Sequence, residues 1–160
     1  ASGARLRMSA TAERTHGTRG RTRTTDLDMR ARISRTMSGG GTLSYGISTQ
    51  LAHSTHINAR RHRVTGVMSY AFANPIGPAR VLISLGGSLG QYPDYQVGPI
   101  IVPGGREDKT LFGSAEFTFE RIDYAGFVPS VKIQAQRAQS NVSRFDTRAL
   151  SISLATGSRF

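Results

Sequence analysis

Apolar and polar residues alternate with a period of two along most of the chain, and the alternation restarts eight times. Ala4, Leu6, Met8, Ala10 and Ala12 interleave with Arg5, Arg7, Ser9 and Thr11. Leu27, Met29, Ala31 and Ile33 interleave with Asp26, Asp28, Arg30, Arg32 and Ser34. The third segment sets Leu43, Tyr45, Ile47 and Leu51 against Ser44, Gly46, Ser48 and Gln50, and the fourth sets Val64, Met68, Tyr70 and Phe72 against Thr65, Ser69 and Ala71. Val81, Ile83, Leu85 and Leu89 form the fifth; Leu111, Ala115, Phe117 and Phe119 the sixth; Pro129, Val131, Ile133 and Ala135 the seventh; Leu150, Ile152 and Leu154 the eighth. Successive side chains of an extended strand point to opposite faces, so this spacing predicts eight strands, each apolar on one face and polar on the other. A helix needs apolar residues at i, i+3, i+4 and i+7, which none of these segments supplies.

Most of the stripes run for about 9–11 residues, the length a tilted strand needs to cross a bilayer, whereas ordinary strands hold about 5–6. Met37–Gly41, Asn74–Pro78 and Asp123–Gly126 read as short turns, while 15–23, 53–63, 91–109 and 140–146 read as longer polar connectors. Short and long connectors are expected to take strict turns, the arrangement of an outer-membrane barrel with tight periplasmic turns and longer external loops. Placing Phe160 in the periplasm puts every short turn on that side. The predicted fold is therefore all-β: an antiparallel transmembrane β-barrel of about eight strands, one domain over residues 1–160.

Composition narrows the alternatives. The 160 residues carry 21 Lys+Arg against 10 Asp+Glu, a formal charge of +11, with 38% hydrophobic residues and no Trp. There is no Cys, which excludes disulfides, thiolate metal sites and cysteine nucleophiles. No apolar run approaches 18 residues, so no transmembrane helix is expected. The basic excess calls for an anionic partner, nucleic acid or a phosphate-bearing membrane surface. Nucleic-acid recognition wants stacking aromatics among the cations, and here the aromatics lie away from the Arg clusters. The chain opens on Ala1 rather than Met, so a processed product or part of a longer chain is expected.

A soluble sheet hides its apolar face; a membrane barrel turns it to lipid and its polar face to the lumen. The second orientation is expected here. Asp26, Asp28, Arg30, Arg32, Glu116, Glu120 and Lys132 share the polar face with both signs represented, as suits a wet lumen. Tyr45, Tyr70, Phe72, Phe119 and Phe160 fall on the apolar face, several near strand ends, as in an interfacial girdle. Arg19, Arg21 and Arg23, with Arg60, Arg61 and Arg63, fall in predicted external loops, where bidentate guanidinium groups can hold lipopolysaccharide phosphates or can simply be solvated. The last strand, with Leu150, Ile152, Leu154 and terminal Phe160, has the form of the signal read by barrel-assembly machinery.

From Tyr92 onward the sequence resembles a known family. Tyr92 and Tyr95, Gly105-Arg106-Glu107-Asp108-Lys109, Gly126-Phe127-Val128-Pro129, Ser140-Asn141-Val142-Ser143-Arg144-Phe145, Leu150–Leu154 and Arg159-Phe160 carry the likeness. Together they are similar to the C-terminal barrel of the surface lipoprotein assembly modifiers, outer-membrane proteins of Gram-negative bacteria. The resemblance implies a barrel of roughly fourteen strands behind a periplasmic helical-repeat region and a role in moving lipoproteins or other proteins to the cell surface. The expected partners are outer-membrane lipid and lipopolysaccharide, the barrel-assembly machinery, and exported lipoprotein cargo or another envelope protein. The chain departs from it in showing eight strands and no helical repeat, which leaves a complete small barrel or the C-terminal part of a larger one.

No cofactor, metal or nucleic-acid partner is expected, and no enzymatic activity. Gly86-Gly87-Ser88-Leu89-Gly90 fits G-x-S-x-G, but no helical pattern follows it to make the strand–turn–helix elbow. His16, His53, His56 and His62 are expected in external loops, without a metal-binding geometry. A structural anchor or small porin-like barrel within an envelope complex is the first alternative function. A basic nucleic-acid-binding β protein is the second.

Overall fold

The computed structural model describes residues 4–16, 23–122 and 126–158. It has β1 (Ala4–His16), β2 (Arg23–Thr36), β3 (Thr42–Ser54), β4 (Arg61–Ala71), β5 (Arg80–Tyr92), β6 (Gln96–Val97), β7 (Ile100–Ile101), β8 (Arg106–Thr118), β9 (Phe127–Ser140) and β10 (Thr147–Ser158). Two short 3₁₀ turns, Ile57–Ala59 and Ser143–Phe145, are the other regular elements among the described residues. The eight long strands form one antiparallel meander in the order β1-β2-β3-β4-β5-β8-β9-β10. The eight expected segments thus each become a strand; most are extended by a few residues at the ends, while Phe72, Phe119 and Glu120 fall just beyond theirs. The β6–β7 hairpin inside the 91–109 connector was not anticipated.

Directly opposed residues keep one face apolar from edge to edge. Across the centre run Leu6↔Ile33, Tyr45↔Met68, Met68↔Leu85, Ala115↔Ile133 and Ile133↔Ile152. The opposite face pairs Ser34↔Ser44, Thr65↔Ser88, Ser84↔Ser114 and Glu116↔Lys132. One register slip would exchange the faces.

Through the middle strands the apolar face is the more exposed one, while β1 and β10 are exposed on both faces. Leu6, Tyr45, Ile47, Leu85, Leu111, Leu150 and Leu154 are all accessible, the last at 81%, while the polar Ser44 and Ser54 are at 4% and 1%. In β4 the alternation is literal: Arg61, Arg63 and Thr65 are half-buried while His62, Val64 and Gly66 are exposed. Long polar side chains and the connectors cover the short residues of the polar face, and nothing among the described residues covers the apolar one. No second layer exists among the described residues, and the buried apolar set is only Ala52, Ala79, Val81, Tyr92, Tyr95 and Val128. The accessible area of 11268 Å² compares with about 7,800 Å² for a globular monomer of this mass.

Two expectations are corrected here. The sheet is not closed: β1 and β10 are its edges and do not pair. Register places nine cations on the polar face, namely Arg5, Arg7, Arg30, Arg32, Arg61, Arg63, Arg80, Arg106 and Lys132, against five acids, Glu13, Asp26, Asp28, Asp108 and Glu116. An eight-strand barrel leaves room only for packed side chains inside, and long cations in that excess oppose so narrow a closure. Connector lengths also do not alternate strictly. β3 runs to Ser54 and β4 starts at Arg61, so that expected long loop shrinks to 55–60, while the connector at 72–79 is longer than the expected turn. The strands continue into the polar sequence because its residues still pair across the ladder.

Candidate functional site

The two ends of the sheet differ in chemistry rather than in loop length. At the end holding the 37–41, 72–79 and 119–126 connectors, the apolar face carries Tyr45, Tyr70, Phe117 and Phe127, with Phe72 and Phe119 just beyond their strands. Tyr70 and Phe72 pack edge to face at 5.0 Å. Among the described aromatics only Phe112 lies mid-strand, and it points to the polar face over Gly86, where an added Cβ would stand 2.6 Å from its ring. Charges on the apolar face keep to the strand ends: Arg14, Arg23, Glu107, Lys109, Arg137 and Arg148 toward one end and Arg35 toward the other. Between them an apolar band runs in β5 from Val81 to Leu89, about 26 Å along the strand.

At the opposite end the connectors are knitted to one another. Asn58 Nδ2 donates to the Gln96 carbonyl at 3.0 Å and the Gln96 amide donates to Asn58 Oδ1 at 2.7 Å. Asn141 does the same for the β8 entrance: its Nδ2 donates to the Gly105 carbonyl at 2.9 Å and its Oδ1 accepts from the Glu107 amide at 2.8 Å. Side-chain amides here supply donor and acceptor to backbone that has left the ladder. Gly105 sits at φ +78°, and a Cβ there would meet the Pro93 carbonyl at 2.8 Å.

The centre of this end is Arg106, whose guanidinium carbon lies 3.7 Å from the Tyr92 ring centroid, 3.8 Å from Phe145 and 4.9 Å from Tyr95. Arg106 Nη2 donates to Asp108 Oδ2 at 2.8 Å, and Arg144 donates to the Tyr95 hydroxyl. The group lies beyond the apolar band. Burial alone would lower the Arg106 pKa, but the hydrogen bond and charge of Asp108, with the neighbouring tyrosines, hold it above the ordinary value. It is a permanent cation clamped between rings, and it ties the β5–β8 connector to the β9–β10 connector. Tyr92, Tyr95, Arg106, Arg144 and Phe145 come from strand ends and connectors that are separate in sequence, and their spacing along the chain does not announce the cluster.

The other predicted positions divide. Asp28 and Arg30 form a bidentate pair at 2.7 and 3.0 Å on the polar face. Asp26 and Arg61 approach to 3.5 Å, and Arg32, Glu116 and Lys132 share that face. Glu120 does not: β8 ends at Thr118, and Glu120 lies in the following turn, paired with Arg80 at 2.7 Å. Arg61 and Arg63 are not loop residues either. They are in β4 and point inward, Arg63 donating to the Tyr92 hydroxyl at 3.2 Å. Arg60 is in the loop but is committed to Asp94 at 2.9 Å and to the Ser54 carbonyl. Arg23 opens β2 on the apolar face, while Arg19 and Arg21 lie outside the described residues. The expected external cluster of Arg60, Arg61 and Arg63 is therefore dispersed by the strand that starts at Arg61.

Leu150, Ile152 and Leu154 line the apolar face of edge strand β10, all exposed; Phe160 lies outside the described residues. His53 and His62 are strand residues and His16 ends β1, leaving His56 in a loop. No group of three metal-ligating side chains occurs among the described residues. The G-x-S-x-G pentad runs straight through β5, so Ser88 is on no elbow. No helix among the described residues is long and apolar enough to cross a membrane. No protein family, curated protein or solved structure matches the chain.

Proposed function

We propose that the chain is the strand-forming part of an outer-membrane β-barrel in a Gram-negative bacterium, whose polar face lines a conduit or scaffold for export to the cell surface, as the resemblance to the assembly modifiers implies. One observation carries the reading: a single layer of strands leaves a continuous apolar face uncovered, with aromatics and charges kept to its margins. In water such a face is a severe liability; against hydrocarbon it is the expected outer surface of a barrel. The band of about 26 Å along a strand becomes about 20 Å along the membrane normal at the usual tilt of about 40°, which suits a thin outer membrane.

The two open edges favour a larger barrel over a small one. Unpaired strand edges are not tolerated in lipid, and the nine inward cations crowd an eight-strand lumen. Further strands, even in number, would widen the lumen and satisfy both edges. The test is heat-modifiable electrophoretic migration of the detergent-extracted protein, with protection of its strands from protease in vesicles. A protein that stays monodisperse without detergent and binds RNA with steep salt dependence refutes the reading and favours the nucleic-acid alternative. Loss of surface-exposed lipoproteins on deletion of the gene, with normal levels in the periplasm, separates export from a purely structural anchor.

A further inference from the structure

Four arginines meet on the polar face where β1 joins β2. Arg7 lies directly opposite Arg32, Arg5 is opposite Ser34 and Arg30 is opposite Ser9, so Arg5 and Arg30 sit diagonally beside the Arg7–Arg32 pair. Like charges directly opposed on a sheet repel. Asp28, gripping Arg30, is the acid of this cluster. Toward the 37–41 turn, the polar-face positions of β1, β2 and β3 are Arg5, Arg7, Arg32, Ser34, Thr36, Thr42, Ser44 and Gly46, without a carboxylate. Arg5, Arg7 and Arg32 have no ion-pair partner among the described residues.

A groove of about 270 Å³ opens beside Arg32, lined on this face by Arg30, Arg32, Ser44, Ser48, Thr65, Val67 and Ser69 around Gly46; Arg7 stands next to it, across the ladder from Arg32. Gly46 stands opposite both Arg32 and Val67, and a Cβ there would have no neighbour closer than 3.8 Å. The glycine thus leaves the floor open rather than relieving a clash. Ser44 and Ser69 are already bonded to Ser34 and Ser84 at 2.9 Å. Ser48 and Thr65 face each other across β3 and β4, with hydroxyls that no side chain occupies.

We propose that this groove is a binding site for a compact polyvalent oxyanion of the phosphate class, held by Arg32 and Arg7 from one side and by the Ser48 and Thr65 hydroxyls from the other. Guanidinium forks match tetrahedral oxyanions with paired charge-assisted hydrogen bonds, and hydroxyls supply the neutral donors. An anion seated there also relieves the Arg7–Arg32 repulsion. The site rests on the register of the sheet, not on membrane insertion, so it stands or falls apart from the barrel reading.

Inorganic triphosphate is the probe, titrated calorimetrically into the full-length protein in zwitterionic detergent. Saturable one-to-one binding is expected, weakened about ten-fold or more in Arg7→Gln/Arg32→Gln. The control is Arg137→Gln/Arg148→Gln, which removes another directly opposed arginine pair, on the apolar face, with the same change of net charge; its affinity should hold within about two-fold. Gly46→Leu keeps every charge and fills the groove, and should weaken binding as much as the Arg7/Arg32 variant. Unaltered strand content by circular dichroism qualifies each variant. The proposal is overturned if wild-type protein shows no saturable binding, if both arginine doubles weaken it equally, or if Gly46→Leu binds like wild type.

Discussion

Leu85 sits at the centre of the apolar band on β5, and Gln91 lies six residues further on the same face. Six residues span about 20 Å along the strand and about 15 Å along the membrane normal, which carries Gln91 from the midplane position of Leu85 to the interface. An Arg on the lipid face of a barrel costs about 2–4 kcal/mol at the midplane and about 0–1 kcal/mol near the surface. Leu85→Arg should therefore destabilise the vesicle-reconstituted full-length protein by about 2–4 kcal/mol, and Gln91→Arg by less than about 1 kcal/mol. A water-exposed sheet gives a different pattern. Leu85 is already 52% exposed, so its replacement forfeits no more than about 1 kcal/mol of burial, with no gradient along the strand. Guanidinium unfolding from phosphatidylcholine vesicles, followed by far-ultraviolet circular dichroism, measures both variants. A difference between them below about 1 kcal/mol refutes lipid contact at this face.

Arg106→Leu removes the clamp between Tyr92 and Phe145 and strands the nearly buried Asp108. It should cost about 3–5 kcal/mol and open the 93–105 connector to subtilisin, an acceleration that Arg106→Lys reproduces only in part because an ammonium cannot stack as a flat guanidinium does. Gly86→Ala sets a methyl against both the Phe112 ring and the Gly66 carbonyl at 2.6 Å and should cost about 1–3 kcal/mol. The double variant Gly86→Ala/Phe112→Leu should recover part of that loss in the same unfolding assay. Deletion of Phe160 should lower the fraction of protein assembled in the membrane; unchanged assembly would show that the last strand does not need its terminal aromatic.

The strands were legible because alternation is local: Val64, Met68 and Tyr70 against Thr65 and Ser69 already specify a face and a length. Which face is shielded follows from the placement of charge and aromatics, and Arg63 and Val64 have the accessibilities that orientation requires. Strand ends were less legible. Arg61 and Arg63 read as loop because polar residues cluster there, yet an inward polar face tolerates them and the ladder to Ala52 and Gln50 extends over them. Glu120 erred the other way, assigned to a strand by parity when pairing stops at Thr118. Contacts between connectors, such as Arg106 on Phe145 or Asn58 on Gln96, join residues 38 or 39 positions apart with no periodicity to announce them. The Arg7–Arg32 opposition needs the register of the β1–β2 hairpin, which alternation leaves free to slip by two.

The fate of the edges follows from that register. Directly opposed residues lead from Ala4 through Arg35, Leu43, Tyr70, Ile83, Ala115 and Ile133 to Ile152, all on one face. Self-closure into an eight-strand barrel demands a stagger of about eight residues, which brings Ile152 opposite Ala12 and Ser153 opposite Thr11; the opposite stagger carries Ile152 beyond the start of β1. Eight strands are even in number, so β1 and β10 run in opposite directions and can pair antiparallel with each other, with the edges of a second copy, or with added strands. The absence of native cysteine makes the choice measurable. Thr11→Cys/Ser153→Cys under mild oxidation in the membrane reports self-closure as an intramolecular disulfide and a two-copy barrel as a covalent dimer. The excess of inward cations, with Arg7 already facing Arg32 near the seam, argues against drawing β10 onto β1. The intramolecular product is therefore not expected in the full-length protein, and a quantitative intramolecular disulfide would replace the larger barrel with a closed one of eight strands.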